Sequence, residues 1–233
     1  MLADAVKIVY EDAEVIVADK PAGLAVETKR VAEEDLESLL RKRYPQDKCL
    51  FPITRIDQPV SGLVLFARTK RAAAELSRQL QEHTIQKKYR AFVSGSFESF
   101  DSEKDPASET GLAKPAGTKE LRDRLIKDAK TNTSRVVKPG EKDYKAAREA
   151  ILFYTEVAPG ELEIDLKTGR HHQIRVQLAN AGHPILGDYK YGNETSVAET
   201  KEKGITSLML TAEELTFKHP ADGRVICVRA GGA

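Results

Sequence analysis

The sequence predicts an α+β fold, in which a mixed β-sheet is accompanied by a few helices in one domain spanning residues 1–233. Of the 233 residues, 40% are hydrophobic and 31% are charged, as is typical of a globular protein with its own core. Strict polar–apolar alternation in 161–166 indicates a half-buried strand, whereas apolar residues at helical spacing in 70–82 indicate a helix. No repeat of fixed period and no low-complexity linker divides the chain.

The first part of the chain carries both strand and helix signals. Residues 6–18 are predicted to form two short strands around an acidic turn. Residues 32–43 are predicted to form a helix, because acids occupy the first turn and bases the last, as the helix dipole favours. A strand is expected at 51–55, followed by a turn rich in polar residues, Pro and Gly and by the apolar strand 63–66.

The rest of the chain follows the same logic, with one stretch that is hard to interpret. A strand is predicted at 89–93, and residues 96–120 are expected to form a surface insertion because Ser, Asp, Glu, Pro and Gly predominate there. Segment 121–150 is basic and shows little periodicity. The further predicted elements are strands at 150–155 and 161–166, a helix at 171–181 that ends at Gly182, and two or three strands near Leu208, Leu215 and Val225.

Composition also restricts the cellular setting. The longest apolar run, 63–67, is far shorter than the roughly 20 residues of a membrane span, and the acidic N-terminal residues do not suit a secretory signal. The two cysteines, Cys49 and Cys227, form no C-x-x-C motif, which fits a reducing compartment. We therefore expect a cytoplasmic protein with no membrane association.

The net charge of +1 hides a strong asymmetry along the chain. Residues 1–40 hold ten acids and four bases, a net charge of −6. Residues 68–90 hold seven bases and two acids (+5), and residues 114–148 hold eleven bases and five acids (+6). A polyanionic partner is therefore expected to bind the middle of the chain, although on charge alone ordinary solvated faces are the favoured explanation.

Familiar cofactor motifs are missing from the sequence. It contains neither G-x-x-x-x-G-K-S/T nor a strand-linked G-x-G-x-x-G, so no nucleotide cofactor is expected. His171, His172 and His183 follow no metal-ligand spacing, and no metal site is predicted.

Three features nevertheless suggest chemistry. Asp57 ends a strand on an exposed turn, although on this feature alone an Asx-turn residue that caps the loop is the favoured explanation. Tyr89 lies on a strand just after a basic helix, where a core tyrosine is also an ordinary finding. Arg170, His171 and Arg175 cluster where a strand is followed by a helix, and such a cluster of donors favours a buried carboxylate or a phosphate.

Taken together, these segments resemble the RluA-type pseudouridine synthases. The matching motifs occur in the order R-I-D-x-x-x-S-G-L from Arg55, K-K-Y-x-A-x-V-x-G from Lys87, T-G-R-x-H-Q-I-R from Thr168 and G-H-P-I-x-G-D-x-x-Y-G from Gly182. Flanking matches, among them Lys20-Pro21-Ala22-Gly23-Leu24, extend the resemblance over nearly the whole chain.

The resemblance implies a bent, largely antiparallel mixed sheet, flanked by helices and loops, with a central active-site cleft. It also implies that Asp57 is the nucleophile, an ionised carboxylate as aspartate ordinarily is at neutral pH. Arg175 would pair with this aspartate, and Tyr89 would stack on the uracil and is a candidate base for the proton at C5. Attack by the nucleophile at the sugar or at the base is left open.

The resemblance further implies structured RNA, rRNA or tRNA, as the partner, with a target uridine flipped out of its stack. Arg55 would occupy the space that the base leaves. No cofactor is implied, the family's N-terminal helical RNA-binding module is expected to be absent, and a monomer is the default expectation. The residues expected to bind substrate are Arg55, Lys88, Arg170, His171 and Ile174.

Two other functions compete with an RNA-modifying isomerase. One is an inactive RNA-binding or ribosome-assembly protein of the same fold, which the presence of Asp57, Tyr89 and Arg175 disfavours. The other is a hydrolase that uses Ser61. It is disfavoured because the sequence shows neither a nucleophile elbow around Ser61 nor a recognisable triad.

Overall fold

Eleven strands and four helices form an α+β structure in the residues that the computed structural model describes, which are 6–28, 33–95 and 117–231. The predicted fold class agrees with this structure. None of the four helices in these ranges has the length and apolarity that crossing a membrane requires. The elements are β1 (Lys7–Glu11), β2 (Val15–Lys20), α1 (Leu36–Arg43), β3 (Phe51–Pro52), β4 (Ser61–Ala67), α2 (Lys70–Gln81), β5 (Gln86–Phe92), β6 (Lys119–Asp128), β7 (Thr133–Val136), β8 (Arg148–Ala158), β9 (Glu161–Leu166), α3 (Gln173–Asn180), α4 (Glu194–Glu202), β10 (Leu210–Lys218) and β11 (Val225–Arg229).

The chain divides into two compact units. The first contains Met1–Lys88 and Leu210–Ala233, and the second contains Tyr89–Met209, so that the boundary falls within β5. The single domain expected from the sequence stays a prediction.

The sheet of the first unit is mixed. Its strands follow the order β1-β2-β4-β10, with β3 paired to β4 and β11 paired to β10. The pairing of β4 with β10 is parallel, Ser61 facing Thr211 and Gly62 facing Ala212, whereas the pairs β1–β2, β2–β4, β3–β4 and β10–β11 are antiparallel. The two ends of the chain are therefore joined in one sheet.

Hydrophobic clusters cover both faces of this sheet, because successive strand residues point to opposite sides. Leu65 of β4 belongs to one cluster together with Leu76 of α2. Phe66, the next residue, belongs to the other cluster together with Leu40 of α1. The helix α1 begins four residues later than predicted, since Asp35 accepts from the Ser38 N–H and so caps the helix.

The second unit contains the antiparallel strand order β9-β8-β6-β7. Leu125 of β6, Ala150 of β8 and Val176 of α3 form its hydrophobic cluster. The helices and strands predicted at 70–82, 161–166 and 171–181 are confirmed to within two residues at each end.

Two other predictions, the strand at 51–55 and the insertion at 96–120, were not confirmed as made. The strand expected at 51–55 is only two residues long, because the N–H groups of Ile53 and Thr54 both donate to Leu65 O of β4, which interrupts the regular pairing. The predicted insertion 96–120 falls, up to residue 116, outside the described residues, and its last two residues begin β6.

The parallel pairing of β4 and β10 requires glycine at position 62. Gly62 has φ +110°, and a Cβ there would lie 2.2 Å from Ala212 O. We expect Gly62→Ala to lower the free energy of unfolding by at least about 2 kcal/mol in urea titrations, because both the backbone conformation and the strand spacing oppose a side chain. Gly204→Ala is the matched control: its φ is +63° with no atom near the added Cβ, and the cost should be about 1 kcal/mol. Equal costs for the two variants would contradict the close-approach argument.

Candidate active site

In the first unit, Asp57 lies on a turn whose backbone is fixed by hydrogen bonds. Asp57 is partly exposed, and its carbonyl accepts from the Val60 N–H at 3.0 Å. The next residue, Gln58, is joined to Gly23 twice: Gly23 N–H donates to Gln58 O at 2.8 Å, and Gln58 Nε2 donates to Gly23 O at 3.0 Å. The predicted exposed turn is confirmed, and it is held against the segment that follows β2.

A buried ammonium group connects the same two segments. Lys20 is 0% exposed, and its Nζ donates to the carbonyls of Pro21 (3.0 Å), Leu24 (2.6 Å) and Gln58 (3.2 Å). Burial lowers the pKa of Lys20 to about 8, against the opposing effect of the nearby carboxylates of Asp57 and Asp19. A positive charge therefore lies beneath the turn that carries Asp57.

Sequence analysis missed Lys20 as part of the site. Lys20-Pro21-Ala22-Gly23-Leu24 entered only as a flanking match and as an end to the strand pattern. The available signal was its position two residues after the apolar run Val15–Ala18, whose four residues are all buried in the structure. A lysine that continues such a strand has to find partners for its charge in the interior.

Arg55, expected to bind substrate, extends into solvent from the segment before Asp57. Its side chain is 67% exposed and forms an ion pair with Glu27 through Nη1 and Oε1. Exposed pairs of this kind contribute little stability. Arg55 can therefore exchange Glu27 for another anion at small cost.

The predicted pair of residues on β5 falls on the boundary between the two units. Lys88 is the last residue of the first unit before the boundary, and its Nζ lies 3.4 Å from Glu214 Oε1. Tyr89 begins the second unit and is 7% exposed. Both are ordered by strand structure, and their roles stay predictions.

In the second unit, the buried guanidinium of Arg175 has a carboxylate partner. Arg175 on α3 is 5% exposed; its Nε donates to Asp188 Oδ2 at 2.7 Å and its Nη2 to Asp188 Oδ1 at 2.8 Å. The expectation that this cluster favours a buried carboxylate is confirmed for Arg175, with Asp188 as the carboxylate. Pairing of Arg175 with Asp57 concerns residues of different units and stays a prediction.

The other predicted residues of this cluster differ in exposure. Arg170 is exposed and donates from Nε to Glu149 O at 2.8 Å, whereas Ile174 is 5% exposed. His171 is partly exposed, shares a hydrogen bond with Ser134 Oγ at 2.9 Å, and stacks on His172 with 3.7 Å between ring centroids. Arg170 and His171 are thus the accessible members, and Ile174 packs inside.

A family model described as RNA pseudouridylate synthase matches residues 14–180. Among curated proteins, the chain is 34% identical to ribosomal large subunit pseudouridine synthase C of Buchnera aphidicola over 93% of this chain. It spans 64% of that relative's length. The chain is also 34% identical to tRNA pseudouridine synthase C of Haemophilus ducreyi, over 96% of this chain and 89% of the relative.

Solved structures show the same fold at lower identity. Human RNA pseudouridylate synthase domain containing 1 superimposes with a TM-score of 0.73 and 20% identity, covering 99% of this chain and 84% of the human chain. Human RNA pseudouridylate synthase domain containing 4 has a TM-score of 0.70 and 20% identity, with coverage of 100% and 91%. The fold implied by the sequence motifs is therefore confirmed.

The buried lysine leads to a pH-dependent stability. Below about pH 8, Lys20 is protonated in both the folded and the unfolded chain; between about 8 and 10.5 only the unfolded chain keeps the proton. The contribution of Lys20 to stability should therefore rise with pH across this window, by roughly 3 kcal/mol in total. We expect the unfolding free energy of the wild type minus that of Lys20→Met to increase accordingly in urea titrations between pH 7 and 10.

The control for this measurement is Lys7→Met, which removes an exposed lysine of β1. Its difference from the wild type should stay flat over the same pH range. A flat difference for Lys20→Met as well would contradict the buried, depressed titration.

Proposed function

The chain belongs to the RNA pseudouridylate synthase family, and from this premise we propose that it converts uridines of structured RNA, rRNA or tRNA, into pseudouridine. The observation that carries the proposal is the family match over residues 14–180, which includes Asp57, Tyr89 and Arg175. Named relatives act on ribosomal large subunit RNA or on tRNA, so both remain candidate substrate classes. The proposed place of action is the cytoplasm.

The proposed reaction is an isomerisation. The bond between uracil N1 and ribose C1′ breaks, the base turns, and a bond between C5 and C1′ forms. C5 loses its proton and N1 gains one, so no atom is added in total and no oxidant, reductant or phosphate donor is required. This balance needs only a nucleophile, a base and an orienting group from the protein.

Asp57 is proposed as the nucleophile, acting at C1′ or on the base. Its partial exposure supports this role because a nucleotide has to reach the carboxylate. The hydrogen-bonded turn around Gln58 supports it further, since a fixed carboxylate needs little reorganisation during attack.

Tyr89 and Arg175 are proposed to assist this step, Tyr89 at the uracil and Arg175 at the nucleophile. Tyr89 would stack on the uracil and accept the C5 proton on its oxygen once the phenol has given its own proton to N1, which leaves the phenol unchanged overall. Arg175 would pair with Asp57 and hold its direction, for which a planar guanidinium is better suited than an ammonium group. The burial of both side chains supports fixed positions for these two groups.

RNA binding is proposed to use exposed cations in the middle of the chain. Lysines along and after the β6–β7 hairpin are exposed, as phosphate contacts require, and include Lys127, Lys130, Lys138, Lys142 and Lys145. Arg55 is proposed to enter the space that a flipped uridine leaves, supported by its exposed and weakly held side chain. Lys88, Arg170 and His171 complete the proposed substrate contacts, whereas the buried Ile174 is proposed to support them from inside.

The first test measures tritium release from RNA labelled at C5 of uridine and purified from a strain that lacks the gene. We expect release by the wild type and none by Asp57→Ala, because no other group replaces the nucleophile. The RNA dissociation constant, from filter binding, should stay within about threefold, since Asp57 contributes little to the phosphate contacts that dominate affinity.

The control for this test is Asp222→Ala, which removes the same charge from an exposed turn of the first unit and should keep release within about twofold. A wild type that binds RNA and releases no tritium would identify an RNA-binding protein without the chemistry. Release by Asp57→Ala at the wild-type rate would exclude Asp57 as the nucleophile.

The second test addresses the phenol of Tyr89. Tyr89→Phe keeps the aromatic ring and removes the proton acceptor, so single-turnover release should slow by about 100-fold or more while RNA affinity is retained. Tyr154→Phe, a buried tyrosine on β8 of the second unit, is the control and should release tritium at the wild-type rate. Normal turnover by Tyr89→Phe would limit Tyr89 to stacking.

A further inference from the structure

The guanidinium of Arg175 is held from two directions by a single turn. Asp188 accepts two hydrogen bonds along the Nε–Nη2 edge, and the guanidinium carbon lies 5.1 Å from the ring centroid of Tyr191. The side chains of Arg175 and Asp188 are only 6% and 1% exposed. Two-point pairing and a cation–π contact thus act together in a site shielded from water.

Asp188 is itself fixed by the backbone of the turn. Its Oδ1 accepts from the N–H groups of Lys190 at 3.0 Å and Tyr191 at 3.2 Å. Its own N–H donates to Ile185 O at 3.2 Å, and its carbonyl accepts from the Gly192 N–H at 2.8 Å. The carboxylate therefore has little freedom to follow a guanidinium that moves.

Tyr191 is fixed at its other end. Its hydroxyl accepts from the Ser134 N–H at 2.8 Å and shares a hydrogen bond with His172 Nδ1 at 2.6 Å. Ser134 belongs to β7, and His172 directly precedes α3 in a left-handed conformation, with φ 54°. The ring that faces Arg175 is thus anchored to two separate elements.

A buried ion pair is weak evidence for stability, because desolvation offsets much of the attraction and apolar side chains can replace it. Its geometric effect is more specific. A planar guanidinium that is held along one edge and covered on one face has only one direction for its remaining edge. Lysine offers no such plane, and neither Asp188 nor Tyr191 would orient it.

We propose that Asp188 and Tyr191 are positioning residues that fix the orientation of Arg175 for the reaction. This rests on the proposed function, in which Arg175 directs the nucleophile.

In Asp188→Asn one of the two acceptors becomes a donor that faces the guanidinium, so the orientation is lost while the volume is kept. Single-turnover tritium release at saturating enzyme should then fall by about 100-fold, as expected for a misplacement of about 1 Å. The filter-binding dissociation constant should stay within about threefold, because Asp188 is shielded from RNA phosphates.

The first unit offers a closely matched control. Arg68 donates from Nε to Asp47 Oδ2 at 2.7 Å and from Nη2 to Asp47 Oδ1 at 3.1 Å, and its guanidinium lies 5.1 Å from the centroid of Tyr44. Asp47→Asn therefore removes the same kind of pair beside the same kind of ring. It should lower the melting temperature as Asp188→Asn does, and leave the rate of release unchanged.

A rate loss in Asp188→Asn no larger than that in Asp47→Asn would overturn the proposal. If circular dichroism shows that Asp188→Asn is unfolded, Asp188→Glu decides, because it keeps the buried charge and displaces the carboxylate by one methylene. A folded Asp188→Glu with the wild-type rate also overturns the proposal, and a folded, slowed one supports it. Wild-type protein that releases no tritium would instead be a failure of the proposed function, which the same assay reveals first.

Discussion

Two buried cations determine how the candidate catalytic segments are held. The ammonium of Lys20 binds carbonyl groups of the segment after β2 and of the Asp57 turn, and the guanidinium of Arg175 on α3 pairs with Asp188 of the turn after that helix. A charge in the interior has to be fully satisfied by hydrogen bonds or counter-charges. The backbone around each cation therefore has few alternative arrangements. The functional side chains on this backbone are held in fixed positions as a result.

Much of the fold was predictable, because most elements have one solvent-exposed face and one buried face. The alternation in β9 and the apolar stripe of α2 leave little choice of structure. The strand β6 was missed because Lys119–Asp128 carries charges on both faces, so no period of two is visible. Two of these charges, Arg122 and Glu120, form ion pairs with neighbouring side chains. The helix α4 was missed for a similar reason: it buries only Ser196 and Thr200, and its start is set by the capping side chain of Asn193.

The site was predictable in its motifs and not in its pairing. Asp57, Tyr89 and Arg175 were found because each lies in a motif, which is a local property of the sequence. The partner of Arg175 lies thirteen residues further along the chain, and Asp188 entered the motif comparison without a role. Lys20 reaches Gln58, 38 residues away, through a carbonyl that any residue would supply. The identity of the residues does not indicate contacts of this kind, and only the three-dimensional structure reveals them.

The parallel pairing of β4 with β10 also has a consequence for synthesis. Ser61 and Thr211 share a hydroxyl hydrogen bond across 150 residues, and the unit around Asp57 contains strands from both ends of the chain. The nascent polypeptide emerges from its N-terminal end, and long-range strand pairs form late. The unit made of one continuous stretch can therefore assemble while translation continues, whereas the unit that carries Asp57 is completed only after β10 and β11 have left the ribosome.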